Sequence, residues 1–314
     1  MSVVVWGVPT ESPVELLLGA FARRGVEPLV VHPRRFLEQD VDVRLSHGEL
    51  RGSLRVAGST VDVRDVVGVY VRPIEPELVP ELKDLPPDDP AVRRARAQFD
   101  ALMAFTEAAA DALGTRVASR LSAMASNMSK PYQAQLVQAG GFDTPETLVT
   151  DDPDAAREFV LAHGGAIYKS VSGVRSIVSV VDLVRDAERL ARIRWCPVQF
   201  QENVRGRDVR VHVVGDEVYA AIVDSDATDY RYARAQVGQD ATLAPYPLPD
   251  DVAARCVALA RSLDLPFAGV DLKLADDGRV VCFEVNPSPG YPWYETAAGL
   301  PISDALARWL HRAA

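Results

Sequence analysis
The sequence predicts an α/β protein in two main parts, and three observations predict it. "SVVVWGV", "SPVELLLGAFARRG" and "VEPLVVHP" read strand, helix, strand, which is the start of a parallel sheet. The length, 314 residues, amounts to about two domains at roughly 150 residues each. The C-terminal half turns to hairpins: "CPVQFQENVRGRDVRVHVVGDEVYAAIV" and "AGVDLKLADDGRVVCFEVNPSPGYPWYE" alternate apolar and polar residues with period two.

The elements follow in order. After the β-α-β opening, residues 42–73 break into short strand pieces with Gly turns. "ELKDLPPDDP" is an acidic, Pro-rich loop. "AVRRARAQFDALMAFTEAAADALG" is a long helix stopped at Gly114, and its three arginines read as a solvated face. A second unit starts near residue 119. "SKPYQAQLVQAGG" is a helix with Ser129 as N-cap and Pro131 in its first turn. "TPETLVTDDPDAAREFVLAHGG" gives strand, turn and helix, and "AIYKSVSG" a strand entering a Gly-containing loop. "SDALARWLHRAA" is an amphipathic closing helix. The boundaries expected are 1–118, 119–198 and 199–314.

Composition narrows the classes. With 48% hydrophobic and 25% charged residues the chain is an ordinary globular protein. The formal net charge of −10 argues against nucleic acid or anionic membranes as general partners. No apolar run reaches a membrane span, no signal peptide is evident, and Cys196, Cys256 and Cys282 lack metal spacing. A cytoplasmic protein with reduced core cysteines is expected. Self-association is left open.

The hairpin of residues 268–295 carries the chemistry. Taking Asp277-Gly278 as a two-residue turn puts Asp271 opposite Glu284, with Asn286 on the same face. Val270, Leu272 and Leu274 then face the core with Val281, Phe283 and Val285. Opposed carboxylates lie about 5 Å apart at Cβ and repel. A divalent cation would compensate, because two carboxylates and an amide supply the oxygen donors magnesium favours. The competing reading has Lys273, diagonal to Glu284, neutralise a solvated pair. Spacing alone does not choose between them.

"GVDLKL…VVCFEVNPSPGY" resembles the C-terminal metal motif of the ATP-grasp superfamily, in the branch of RimK-like glutamate ligases and related peptide-modifying ligases. The resemblance implies an ATP-grasp fold, two α+β subdomains gripping ATP, preceded by an α/β pre-ATP-grasp domain. It assigns Asp271, Glu284 and Asn286 to Mg2+ (with Mn2+ as an alternative), and Lys130 in "NMSKPYQ" and Lys169 in "AIYKSV" to the phosphates of ATP. The small-residue loop "SVSGVRS" would cover the phosphates through Ser172 and Gly173, with Arg175 a candidate contact. "VQFQENVRGRDVRV" resembles the segment that reads adenine, matching Glu202, Asn203 and Val204, with Asp208 on the ribose.

The strand from Asp208 alternates, so Arg210 shares the face of Asp208 and can point at the phosphates. His212 shares that face too, but a lone strand histidine is more often a satisfied structural residue. "DYR", residues 229–231, resembles a triplet of the peptide-modifying branch, making Arg231 a substrate candidate. Arg72 ends the strand "VVGVYV" and is a candidate carboxylate clamp, or else an ion pair with Glu75 or Glu77. The sequence departs from that branch at Tyr70-Val71-Arg72-Pro73 and at "PSPGYPWYE", so peptide and small-molecule substrates both stay open. The activity implied is ATP-dependent ligation of a carboxylate to an amine or other nucleophile through an acyl phosphate, with Lys169 and Arg210 catalytic. The alternatives are a kinase on the same scaffold and a non-catalytic nucleotide-binding module.

Overall fold
A computed structural model describes residues 1–170, 178–225, 227–228 and 230–312. The chain opens with β1 (Ser2–Trp6), α1 (Ser12–Arg23) and β2 (Leu29–Val31). Two hairpins follow, through β3 (Gln39–Ser46), β4 (Glu49–Val56) and β5 (Ser59–Asp62), and then β6 (Val66–Val71), α2 (Pro90–Leu113) and β7 (Arg116–Ala118). Strands β2-β1-β6-β7 form a parallel sheet in that order, and β3-β4-β5 a separate antiparallel one. Parallel strands need crossovers, and α1 supplies the first. It buries Val14, Leu17, Ala20 and Phe21 on one stripe at helical spacing. The arginines Arg93, Arg94 and Arg96 of α2 are exposed, as their spacing predicts. Arg94 meets Asp40 at 3.0 Å, and Arg96 pairs with Glu77.

The second half holds α3 (Lys130–Ala139), β8 (Thr147–Thr150), α4 (Pro153–Ala162), β9 (Ala166–Ser170), β10 (Ser179–Val180), α5 (Ala187–Arg192) and β11 (Val198–Glu202). These strands make an antiparallel sheet ordered β10-β9-β11-β8. Then come β12 (Gly206–Val214), β13 (Glu217–Asp224), α6 (Ala233–Val237), β14 (Thr242–Pro245), α7 (Asp250–Ser262), β15 (Phe267–Ala275), β16 (Val280–Asn286), α8 (Pro292–Ala298) and α9 (Ile302–Leu310). This sheet runs β14-β13-β12-β15-β16. Its inner face sets Val209, Val211 and Val213 of β12 against Cys256 and Leu259 of α7, all essentially buried. Each such side chain contributes about 1.5–3 kcal/mol by leaving water. The closing helix α9 packs Leu306 and Leu310 with Leu17 and Phe21 of α1 in one core. Its end lies so close to β6 that a Cβ on Gly68 would sit 2.1 Å from the Leu310 carbonyl oxygen.

Four expectations are corrected. The turn of the β15–β16 hairpin is not two residues long. Ala275 and Arg279 close it, around Asp276, Asp277 and Gly278, and Gly278 takes a φ of 90° that suits glycine. A register shift past Asp271 then adds one residue on β16, so Leu272 pairs with Cys282 rather than Phe283. The two departures cancel, and Asp271 still faces Glu284. The shift sends Cys282 into the core and leaves Phe283 lining the opposite face. Cys196 is exposed, whereas Cys256 and Cys282 are buried and free. Burial pushes the Cys256 thiol up to about 12, which keeps it protonated. Ser129 stands at the N-cap of α3, but its side chain makes no capping hydrogen bond. Among the described residues, no helix is long and apolar enough to cross a membrane.

Candidate active site
Strand register builds the site. Across β12, β15 and β16, Arg210 pairs with Asp271 and Asp271 with Glu284, forming one row. His212, Gly269 and Asn286 form the next row, and Asp208 faces Lys273 on the other side. Because side chains alternate along a strand, these rows share the face opposite the valine core. That face floors a cleft of about 420 Å³. Lys130 at the start of α3, Lys169 on β9, Gln201 and Glu202 on β11, and the connection Asn203–Val204 line it from the other side.

Charge is arranged across the rows. Arg210 Nη1 donates to Asp271 Oδ1 at 2.6 Å, and Asn286 Nδ2 donates to Asp271 Oδ2 at 3.2 Å. The Arg210 side chain is only 7% exposed. Its burial works to lower the pKa, but Asp271, with Tyr294 and Tyr230 nearby, overcomes this and raises it. The guanidinium therefore stays charged. Its Nε is buried against Gly269 with no hydrogen-bond partner among the described residues. Space for the guanidinium exists because residue 269 is glycine: a Cβ there would lie 2.1 Å from Arg210 Nη2. Arg210, not Lys273, is thus the protein's own compensation for the opposed carboxylates. Lys273 instead meets Asp208 at 3.2 Å and lies 5.8 Å from the Phe283 ring centroid.

The donor set suits a magnesium ion. The half-buried Glu284 carboxylate makes no ion pair or hydrogen bond among the described residues, and it faces an Asp271 whose charge Arg210 balances. Asn286 gives its nitrogen to Asp271, which leaves its amide oxygen for a cation. Three groups of oxygen donors on adjacent strand positions are what a hard divalent cation takes.

The remaining predicted residues fall as follows. Glu202 lines the cleft with its carboxylate tied to Arg279 at 2.6 Å, which holds it below the usual carboxylate range. Arg279 also meets Asp277 at 2.8 Å, so it pins the hairpin turn to the end of β11. Asn203 and Val204 lie outside any strand, between β11 and β12. Arg72 directly follows β6, but its ion-pair partner is Glu11, with Nη2 to Oε1 at 2.6 Å, rather than Glu75 or Glu77. Its Nη1 also donates to Ser288 Oγ at 3.0 Å, in the loop after Asn286 that borders the cleft. Ser172, Gly173, Arg175 and Asp229 lie outside the described residues, as does the side chain of Arg231. Reading the sequence did not single out Tyr294 and Gly269, took Tyr230 only as the aromatic of the "DYR" triplet, and placed Phe283 in the core. Period two from Asp271 points at Gly269, whereas nothing local to Phe283 reports the shifted register.

His212 is a buried structural residue, as expected. It is fully buried, its ring centroid is 4.9 Å from that of Tyr294, and its polar neighbour is the Gly290 backbone, at a geometry too poor for a full hydrogen bond. Burial, then the Arg210 charge, holds the imidazole well below its usual 6.5. In the fold the ring stays neutral, while the unfolded chain takes up a proton below about pH 6.5. The unfolded state then binds more protons, so stability is present above that pH and falls as pH drops through it. The contribution reaches about 1.4 kcal/mol per pH unit. His212→Phe is expected to flatten the fall between pH 6.5 and 5 in urea unfolding. An unchanged slope would show that the ring titrates alike in both states.

Residues 127–310 match the RimK-like ATP-grasp domain. The ribosomal protein bS6–L-glutamate ligase of Shigella flexneri serotype 5b is 28% identical over 275 residues, 84% of this chain and 90% of that protein. The ATP-grasp ligase PsnB, solved with a phosphomimetic variant of a minimal precursor, Mg and ADP, has a TM-score of 0.76 at 29% identity, over 99% of this chain and 97% of that one. A Chryseobacterium gregarium RiPP-associated ATP-grasp ligase, solved with ADP and a leader and core peptide, has a TM-score of 0.79 at 20% identity, over 99% and 96%. At that identity the likeness is one of fold.

Proposed function
This chain belongs to the RimK-like ATP-grasp family of carboxylate–amine ligases, and from that premise we propose that it uses MgATP to activate a peptide carboxylate as an acyl phosphate and passes the acyl group to an amine or another nucleophile. The row Arg210–Asp271–Glu284 carries this reading, because it sets a fixed cation beside two carboxylates on the floor of a cleft. A peptide substrate is supported by PsnB, which is solved with the precursor peptide PsnA2 and is 29% identical over nearly the whole chain.

In this reading Lys130 and Lys169 hold the phosphates, and Asn203 and Val204 present backbone to the adenine. Asp208 accepts from the ribose while keeping Lys273 beside it. Asp271, Glu284 and the Asn286 oxygen hold magnesium, which when bound neutralises phosphate charge. Arg210 brings its guanidinium charge to the oxygens on which charge grows as the phosphoryl group moves. The carboxylate oxygen attacks the γ-phosphorus and ADP leaves. The nucleophile then adds to the acyl carbon, loses its proton, and expels phosphate. No side-chain nucleophile is needed.

Hydroxylamine tests the sequence of events. With MgATP and a carboxylate peptide, it should yield a hydroxamate, and ADP release should need a nucleophile. Accumulation of a stable phosphorylated product that hydroxylamine does not consume would overturn the ligase outcome in favour of a kinase. The binding roles separate by calorimetry. Lys169→Ala should weaken ATP by about 1.5–3 kcal/mol, the range of a charge-assisted hydrogen bond, and Asp208→Asn by about 1 kcal/mol. Equal or reversed losses would reject the assignment.

A further inference from the structure
The stretch "PSPGYPWYE", where the sequence departs from the peptide-modifying branch, folds as the loop before α8 and its first turns. It sets two aromatic residues in opposite roles. Tyr294 turns inward, 7% exposed, with Arg210 lying 5.7 Å from its ring centroid and its hydroxyl 3.0 Å from that of Tyr230. Trp293 turns outward and is 40% exposed. Its ring stands 6.3 Å from Tyr230 at an interplanar angle of 26°, and 5.2 Å from Tyr294. Together with Tyr232 these rings line a groove of about 490 Å³. The groove shares Tyr230 and Tyr294 with the cleft that holds Arg210 and Asp271, so the two tyrosines form the wall between them.

Resting on the ligase reading above, we propose that this groove is a specificity subsite that takes an aromatic side chain of the peptide, next to the carboxylate being activated. The groove's charged edge, Arg234 with Asp240 at 3.0 Å, is an ion pair that cancels itself and selects for neither sign. What remains is the aromatic rings with small alanines between them, and an indole face left in water gains most from a flat ring stacked on it. The volume exceeds one side chain, which leaves room for the main chain that carries it toward the cleft. Tyr230 and Tyr294 line both spaces, so an occupant of the groove lies next to the cleft.

The experiment uses three tripeptide amides, N-acetylated Phe-Glu-Phe, Leu-Glu-Leu and Lys-Glu-Lys, titrated calorimetrically into the full chain with MgADP. The Phe peptide should bind about 3- to 10-fold more tightly than the Leu peptide, the size of one aromatic stacking pair. In Trp293→Ala that preference should disappear, with MgADP affinity and Tm unchanged. Equal binding of the three, tightest binding of the Leu or Lys peptide, no binding of any, or a Phe preference that survives Trp293→Ala would each overturn the subsite while leaving the nucleotide site standing. Failure of the wild type to bind MgADP would instead bring down the ligase reading and the subsite with it.

Discussion
Asp271→Asn is expected to abolish MgATP-dependent ADP release and to destabilise the protein by about 3 kcal/mol, whereas Glu284→Gln should abolish release and leave stability unchanged or slightly improved. The two carboxylates face each other, but only one is tied to the protein. Asp271 balances Arg210, whose side chain is 7% exposed, and its removal leaves a buried cation without a counter-charge. Such a break costs far more than the pair itself contributes. Glu284 has no such partner among the described residues, so neutralising it only relieves repulsion. Both changes remove an oxygen anion from the proposed magnesium site and should reduce turnover on the order of a hundredfold or more. Urea unfolding without magnesium, alongside ADP release with it, checks both halves. Equal destabilisation by the two changes would disprove the asymmetry, and retained turnover in Glu284→Gln would remove Glu284 from the site.

Gly269→Ala should be nearly as damaging, through a residue with no chemistry of its own. The added methyl would lie 2.1 Å from Arg210 Nη2, and the guanidinium cannot yield without leaving Asp271. Overpacking of this kind costs about 1–3 kcal/mol, and turnover should fall with it because Arg210 loses its aim. The cause is testable by a double-mutant cycle. In an Arg210→Gln background the shorter side chain leaves room, so Gly269→Ala should cost clearly less there than in the wild type. Additive losses would mean the methyl acts elsewhere, for instance on the pairing of β15 with β12.

Much of this site was legible because strand periodicity is local. Val209, Val211 and Val213 alternate with Asp208, Arg210 and His212, and burying the valines forces the polar set onto one face whatever the remainder of the fold does. The opposed Asp271 and Glu284 were also reached from the sequence, although through a turn one residue too short and a register without its shift. Phe283 shows the cost of that: its side depends on one extra residue in β16, and the core takes Cys282 instead.

The sequence by itself determined the α/β class, the parallel opening, the helix stops, and the Asp, Glu, Asn trio with its resemblance to ATP-grasp enzymes. These follow from alternation, turn residues and spacing, which act over a few residues. Tertiary structure alone decided how the charges are balanced. Arg210 and Asp271 are 61 positions apart and meet only because β12 pairs with β15, and Arg72 finds Glu11, also 61 positions away, rather than its near neighbours Glu75 and Glu77. It also decided that Tyr230 and Tyr294 would stand together between cleft and groove. Ion pairs and ring contacts are set by which strands and helices come to lie side by side, and a desolvated charge takes whichever partner that packing brings within reach.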